Sequence, residues 1–156
     1  MASLAGIVFD LEGPRALSDF REERLLRALR AVEPSVEAVS SRFIHFVHAS
    51  DELTETESSR LASLLDYGPG PDKAITASLE ALVVPRLGTI SPWASKATDI
   101  ARNCGIEKVL RVERGTIFTI ALKDGAGLSE EKRGALLALL HDRMTESVVP
   151  VDYPRE

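Results

Sequence analysis

Short apolar runs separated by turn residues alternate with amphipathic segments along both halves of the chain. In the first half the pattern predicts the order strand, helix, strand, strand, helix. The corresponding segments are residues 7–11, 19–32, 36–39, 42–49 and 54–65. In the second half the same order is predicted again. The corresponding segments are residues 79–85, 92–104, 108–113, 116–122 and 130–144.

Capping and turn residues set the predicted boundaries. Side chains suited to N-capping precede each helix, namely Ser18, Thr54, Ser91 and Ser129. Glycine at position 105 is expected to end the third helix, and residues 12–14 (EGP) to end the first strand. Ser40-Ser41 and Arg114-Gly115 each divide a β-rich stretch, which predicts two tight hairpins.

The two halves keep nearly the same register. Ser18 corresponds to Ser91, and Leu53-Thr54-Glu55 to Leu128-Ser129-Glu130, at almost equal offsets. We therefore predict an α+β fold of duplicated βαββα units related by a pseudo-twofold axis, with helices packed on a mainly antiparallel sheet and one shared core.

The expected domain is residues 1–149. Its halves span about residues 4–66 and 79–142, and residues 67–78 (YGPGPDKAITAS) link them. Residues 150–156 are expected to be a tail or the end of a truncated fragment.

Composition excludes several function classes. Asp and Glu outnumber Lys and Arg by 24 to 19 in 156 residues, giving a net charge of −5. Nucleic acid is therefore an unexpected partner. No apolar run reaches the roughly 18 residues of a membrane span, and the single cysteine cannot form an internal disulfide. The cytoplasm is the expected location.

Few residues suggest catalysis. His45 and His48 would lie on opposite faces of a strand, one half-buried and one solvent-facing, so no metal site is expected. His141 is interpreted as a solvated helix cap, and Cys104 as a small buried apolar residue. The common phosphate-loop and nucleophile-elbow motifs are absent, and we expect no catalytic residue in this chain.

Polar and small residues crowd the start of the third helix. The free backbone N–H groups after the cap, together with nearby cations, could hold a phosphate or carboxylate. The alternative is a well-capped helix with a tryptophan packed on its first turn. Candidate residues facing another domain or a substrate are Arg86, Thr89, Ser91, Trp93, Ser95, Lys96 and Asp99.

Four segments resemble one enzyme family. Residues 85–115 read PRLGTISPWASKATDIARNCGIEKVLRVERG, and LLDYGP, ALSDFR and LHDRMTESV occupy residues 64–69, 16–21 and 140–148. They are similar to motifs near the amino terminus of the large single-chain bacterial phosphoribosylformylglycinamidine synthases, also called FGAR amidotransferases. Ala94 stands where the usual form has serine.

The resemblance implies a parent ligase of purine biosynthesis that uses ATP, magnesium and ammonia from glutamine. Its amino-terminal domain is similar to a dimer of the family's small separate subunit, and carries neither reaction. The implied partners are the synthetase and glutaminase domains, and this chain would hold no cofactor.

One hypothesis is a non-catalytic assembly and coupling domain that docks on the synthetase. A second is that Arg86, Thr89, Ser91 and Lys96 approach the ribonucleotide phosphate or the mouth of the ammonia channel. A third is a free-standing regulatory module that binds a small metabolite.

Overall fold

A computed structural model describes residues 6–68, 79–86, 91–123, 127–142 and 144–149. The strands are β1 (Ile7–Arg15), β2 (Val36–Ala49), β3 (Leu79–Pro85), β4 (Val109–Leu122) and β5 (Glu146–Val149). The helices are α1 (Asp19–Val32), α2 (Glu55–Leu64), α3 (Pro92–Asn103) and α4 (Glu130–Leu140).

The strands form one five-stranded sheet in the order β1-β2-β4-β3-β5, and every neighbouring pair is antiparallel. At its centre, β2 and β4 pair along their full lengths, from Val36 opposite Leu122 to Ala49 opposite Val109. The predicted α+β class, with helices on an antiparallel sheet, is confirmed.

The two predicted hairpins are wrong. Ser40-Ser41 and Arg114-Gly115 lie inside the continuous strands β2 and β4, so each half reads βαβα rather than βαββα. Gly115 serves close packing instead of a turn, because a Cβ there would meet Leu82 Cδ1, Phe46 Cε2 and the Val83 carbonyl oxygen at 3.1 Å.

The first strand also runs further than predicted. β1 continues through Gly13 and Pro14 to Arg15, and its pairing with β2 shifts register between Glu12 and Arg15. Proline has no backbone N–H to donate to a neighbouring strand. An edge strand tolerates it because one side of its backbone has no neighbouring strand to pair with.

The predicted helix caps are confirmed. Ser18, Thr54, Ser91 and Ser129 each accept a backbone N–H of the first turn, and Thr54 forms a complete capping box with Glu57. Gly105 follows α3 with φ of 91°, where glycine meets no steric penalty. The last helix is shorter than expected, since it ends at Leu140, and Met144 is 76% exposed. The pattern did not predict β5.

The helices cover one face of the sheet as two pairs, each drawn from both halves of the chain. α1 and α4 bury Leu29, Leu136 and Leu140 against Val39 of β2. The second pair, α2 and α3, buries a separate group on the same face: Leu61, Leu65, Ala101, Ile106, Val47, Val109 and Val112. Because side chains alternate along a strand, Ile44 points to the opposite face, where it packs with Leu82, Ile117 and Val149.

Each half contributes one central and one outer strand to the order β1-β2-β4-β3. A pseudo-twofold axis between β2 and β4 would exchange the two halves, placing β1 on β3 and β2 on β4. This symmetry stays a prediction. The division into two halves and a tail also stays a prediction, with residues 69–78 and 150–156 outside the described residues.

Replacing Gly13 with alanine should destabilise the fold. The added Cβ would overlap Cε1 of the buried His45 and lie 3.0 Å from its Nδ1. Overpacking of this kind costs roughly 1–3 kcal/mol, more than the 0.4–1 kcal/mol or so that a stiffer unfolded chain contributes. Chemical denaturation of Gly13→Ala measures the difference.

Gly134→Ala is the matched control. Gly134 lies in α4, and an added Cβ would meet nothing within 4 Å. This change should raise the free energy of unfolding by about 0.5–1 kcal/mol through helix propensity. Equal stability of the two variants would contradict the steric argument.

Candidate functional site

An aromatic and cationic cluster lies on the helical face of the sheet, beside α3. It consists of Phe43 and His45 from β2, Tyr67 after α2, Trp93 in the first turn of α3 and Arg114 from β4. We call these five side chains the ring cluster. His45 stands directly opposite Arg114 in the β2–β4 register, and this pairing brings the two strands' contributions together.

Two hydrogen bonds place Trp93 by tying α3 to β4. The Ser91 hydroxyl donates to Glu113 at 2.9 Å, and the Val112 N–H donates to Thr98 Oγ1 at 3.0 Å. β3 pairs with β4 only between Thr116 and Ile120, so the Val112 N–H lies beyond that ladder. The Thr98 hydroxyl of α3 accepts this N–H where a neighbouring strand would otherwise do so.

Tyr67 joins His45 to Arg114. Its hydroxyl lies 2.7 Å from His45 Nε2 and accepts a hydrogen bond from Arg114 Nη1 at 3.3 Å. Arginine can only donate, so the tyrosine oxygen is the acceptor of that bond, and its hydroxyl and His45 Nε2 share the second hydrogen bond. The Nδ1 atom of His45 is buried on the side of the ring that faces Gly13.

Burial governs the protonation of this pair. His45 is fully buried, which lowers its pKa to about 4. The nearby Leu11 backbone opposes that shift, and the positive charge of Arg114 adds to it. Burial also raises the pKa of Tyr67, against the hydrogen bond and charge of Arg114. Both rings are thus neutral near pH 7.

The Arg114 guanidinium contacts two aromatic rings. Its guanidinium carbon is 4.2 Å from the centre of the Phe43 ring and 4.6 Å from that of Trp93. The Trp93 ring also stacks on His45, with centroids 5.7 Å apart. Cation–π contacts of this kind hold a guanidinium in place.

A groove of about 250 Å³ opens between α2 and α3 next to the ring cluster. Its walls are largely aliphatic, and its charged lining residues are Lys96 and Arg114. Tyr67 and Ile100 at the groove remain 43% and 45% exposed. The full lining is Leu61, Leu64, Leu65, Tyr67, Trp93, Lys96, Ala97, Ile100, Ala101, Val112 and Arg114.

The candidate residues before and in α3 have different surroundings. Trp93 and Lys96 line the groove, while Ser95 and Asp99 are exposed on α3. The backbone N–H of Arg86 donates to the Thr145 carbonyl at 2.8 Å. Thr89 lies outside the described residues.

The start of α3 is poorly suited to an anion. Ser91 Oγ already caps the Ala94 N–H at 3.0 Å, and the Glu113 carboxylate beside it would repel a phosphate. The part of the site that could attract an anion is therefore the groove at Lys96 and Arg114. Whether residues 86–99 face a substrate stays a prediction.

Cys104 corrects a sequence expectation. It is exposed rather than buried, because α3 ends at Asn103 and the chain turns at Gly105. Ile106 enters the core instead, and the Cys104 carbonyl accepts a hydrogen bond from Arg60 of α2 at 2.9 Å.

The burial of the histidines also differs from the sequence expectation. His45 and His48 do lie on opposite faces, but His45 is fully rather than half buried and His48 is only partly exposed. His141 is partly buried at the end of α4, where its Nδ1 lies 2.8 Å from the Leu137 carbonyl.

Sequence reasoning did not identify the ring cluster as a site. Arg114 was assigned to a turn and Tyr67 to a linker. Only their presence in two of the motif segments, residues 85–115 and 64–69, could have signalled a shared role.

Within the described ranges, no three His, Cys, Asp or Glu residues are placed to hold a metal ion. None of the helices that the structure describes is long and apolar enough to cross a membrane.

Comparison with known families identifies a match that spans most of the chain. The model for the formylglycinamide ribonucleotide amidotransferase N-terminal family matches residues 42–153, well over half of the chain. The chain therefore belongs to this family, whose members take part in purine biosynthesis. The match includes every residue of the ring cluster.

Proposed function

We propose that this member of the formylglycinamide ribonucleotide amidotransferase N-terminal family is a non-catalytic assembly and coupling domain. It docks on the synthetase core of a larger phosphoribosylformylglycinamidine synthase. There it supports the transfer of ammonia from the glutaminase domain to the synthetase active site.

One observation carries the proposal. Two motif segments that are distant in sequence, residues 64–69 and 85–115, meet at a solvent-open groove through Tyr67, Trp93 and Arg114. Single exposed apolar residues are ordinary on a protein surface, but an apolar patch next to fixed charges marks a contact surface. Exposed Tyr67 and Ile100 beside two cations are typical of an interface between domains.

The ring cluster is a poor acid–base site. His45 has a pKa of about 4, is fully buried and is occupied by Tyr67, so it is neither exposed nor basic enough to activate a nucleophile near pH 7. In this proposal ATP, magnesium and glutamine are bound by the synthetase and glutaminase domains.

A second candidate function is a free-standing module that binds a small metabolite. The position of the groove supports this function, because α2 belongs to the first half of the chain and α3 to the second. A metabolite between them would contact both halves.

Complementation separates these functions. The chain is mixed with a parent synthase that lacks this domain, and glutamine-dependent and ammonia-dependent synthesis are measured separately. A coupling domain should restore the glutamine-dependent rate more than the ammonia-dependent rate. No effect on either rate would rule out the proposed function.

The isolated chain should have no glutaminase and no ATPase activity, because the proposal assigns both reactions to other domains. Release of glutamate from glutamine and of phosphate from ATP should match a heat-inactivated control. Glutamate release that Cys104→Ala abolishes would contradict the proposal, as would phosphate release that Lys96→Ala abolishes.

Removing Lys96 or Arg86 should weaken coupling without weakening the fold. A largely desolvated charge-assisted contact is worth roughly 1.5–3 kcal/mol, a tenfold or greater loss of glutamine-dependent turnover. Each of Lys96→Ala and Arg86→Ala should therefore lower turnover in the assembled enzyme, while the melting temperature of the chain stays within about a degree or two.

Lys123→Ala removes an exposed lysine just after β4 and serves as the matched control. It should retain wild-type turnover. If Lys96→Ala and Arg86→Ala also show wild-type kinetics, the start of α3 is a capped helix with no role in coupling.

The buried histidine predicts a pH dependence of stability. The folded pKa of His45 lies below its unfolded value of 6.5, so the unfolded chain binds the proton more readily. The stabilisation is fully present above pH 6.5 and is lost as the pH falls towards 4. The loss over this window is about 3 kcal/mol.

Comparison of wild type with His45→Gln between pH 7.5 and 4.5 isolates this contribution from that of carboxyl groups. The free energy of unfolding of the variant should fall less steeply with decreasing pH. His48→Gln measures the effect of removing a histidine from the opposite face. Parallel curves for wild type and His45→Gln would refute the assignment.

A further inference from the structure

We propose that the groove between α2 and α3 holds an apolar polypeptide segment of the parent enzyme whose Asp or Glu carboxylate pairs with Arg114. This inference rests on the proposed docking function and names the chemistry of the partner at its contact point. Lys96 stands on the same groove as a second, exposed cation.

The Arg114 guanidinium has no ion-pair partner among the described side chains. In the described part of the chain, Arg15, Arg42 and Arg111 each have a carboxylate oxygen within 3.2 Å. Among the described residues no carboxylate forms an ion pair within 4.0 Å of the Arg114 guanidinium, although the residue is partly buried. The neighbouring Glu113 carboxylate accepts the Arg114 backbone N–H at 2.9 Å and pairs with Arg111 instead. Its guanidinium has five N–H donors, and the Tyr67 hydroxyl accepts from only one nitrogen.

The guanidinium is also held in place before any partner arrives. The rings of Phe43 and Trp93 both contact it, with centroids 4.2 and 4.6 Å from the guanidinium carbon. Tyr67, itself bonded to buried His45, accepts one of its N–H groups. A guanidinium that is already oriented loses little freedom when it binds a planar carboxylate in a two-pronged geometry. The ring cluster thus orients an arginine for an acceptor from outside the described residues.

Shape and charge identify the occupant. The charged lining residues of the groove are both positive, in a chain whose net charge is −5. An incoming anion is therefore favoured locally and a cation is not. The cavity of about 250 Å³ is smaller than the roughly 300–1,000 Å³ typical of small-molecule sites, which favours a few inserted side chains. Exposed Tyr67 and Ile100 extend the apolar surface that such a segment would cover.

The test measures binding of the chain to a parent synthase lacking this domain, by isothermal titration calorimetry. Wild type is compared with Arg114→Met and Arg114→Lys. Arg114→Met should bind at least tenfold more weakly. Arg114→Lys should lie between the two, because lysine keeps the charge and loses the fork geometry.

Arg27→Met provides the matched control, since it removes an exposed arginine from α1, away from the groove. It should bind like wild type. Lys96→Met leaves the ring cluster intact and should weaken binding by a smaller factor. If thermal unfolding shows that Arg114→Met does not fold, Arg114→Lys and Lys96→Met decide the question.

A competition experiment tests the chemistry directly. 4-Phenylbutyrate carries an apolar body and a carboxylate, and 4-phenylbutanol carries the same body without charge. The carboxylate should displace the synthase from wild type, and the alcohol should not.

The outcomes separate the two proposals. If wild type fails to bind the synthase, the docking function fails. If wild type and all the Arg114 and Lys96 variants bind equally, docking stands and the groove inference is overturned. If the isolated chain binds 4-phenylbutyrate while docking is insensitive to Arg114, the groove belongs to a free carboxylate ligand and the inference is likewise overturned.

Discussion

The pairing of β2 with β4 is the constraint on which the rest of the molecule depends. These two long central strands come from opposite halves of the chain, and their register decides which residues meet. It puts His45 opposite Arg114 on the helical face and Ile44 opposite Gly115 on the other. A shift of one residue would exchange the faces and leave a guanidinium where a core side chain belongs. The core, the ring cluster and the groove are therefore consequences of one register.

Local signals predicted the helices well and the central strands poorly. Ser18, Thr54, Ser91 and Ser129 acted as caps because capping depends only on residues within one helical turn. The breaks expected at Ser40-Ser41 and Arg114-Gly115 did not occur, because the long β2–β4 ladder runs through both positions and overrides a local turn preference. Ser41 accepts the Leu17 N–H, and Gly115 leaves room for neighbouring side chains. Neither contact can be read from nearby sequence.

The candidate site was predicted in part for the same reason. The motif around Ser91 to Lys96 drew attention to Trp93 and Lys96, which do line the groove. Arg114 and Tyr67 were assigned to connecting segments, since a lone arginine beside glycine and a tyrosine beside proline are typical of turns. Their role depends on contacts with Phe43, His45 and Trp93, which are distant in sequence. Family resemblance marked both segments, but only the fold shows that they form one surface.

The irregular course of β1 has a consequence for self-association. This strand forms one edge of the sheet, and an edge with free backbone groups can recruit a second chain. Pro14 has no N–H to offer, and the register shift between Glu12 and Arg15 bends the edge out of the straight geometry that cross-chain pairing needs. Asp10 and Glu12 lie on the same exposed face of this strand, and Glu12 pairs with Arg42 of β2 at 3.1 Å. The departure from an ideal strand that misled the sequence prediction thus interrupts the straight backbone edge to which a second chain would pair.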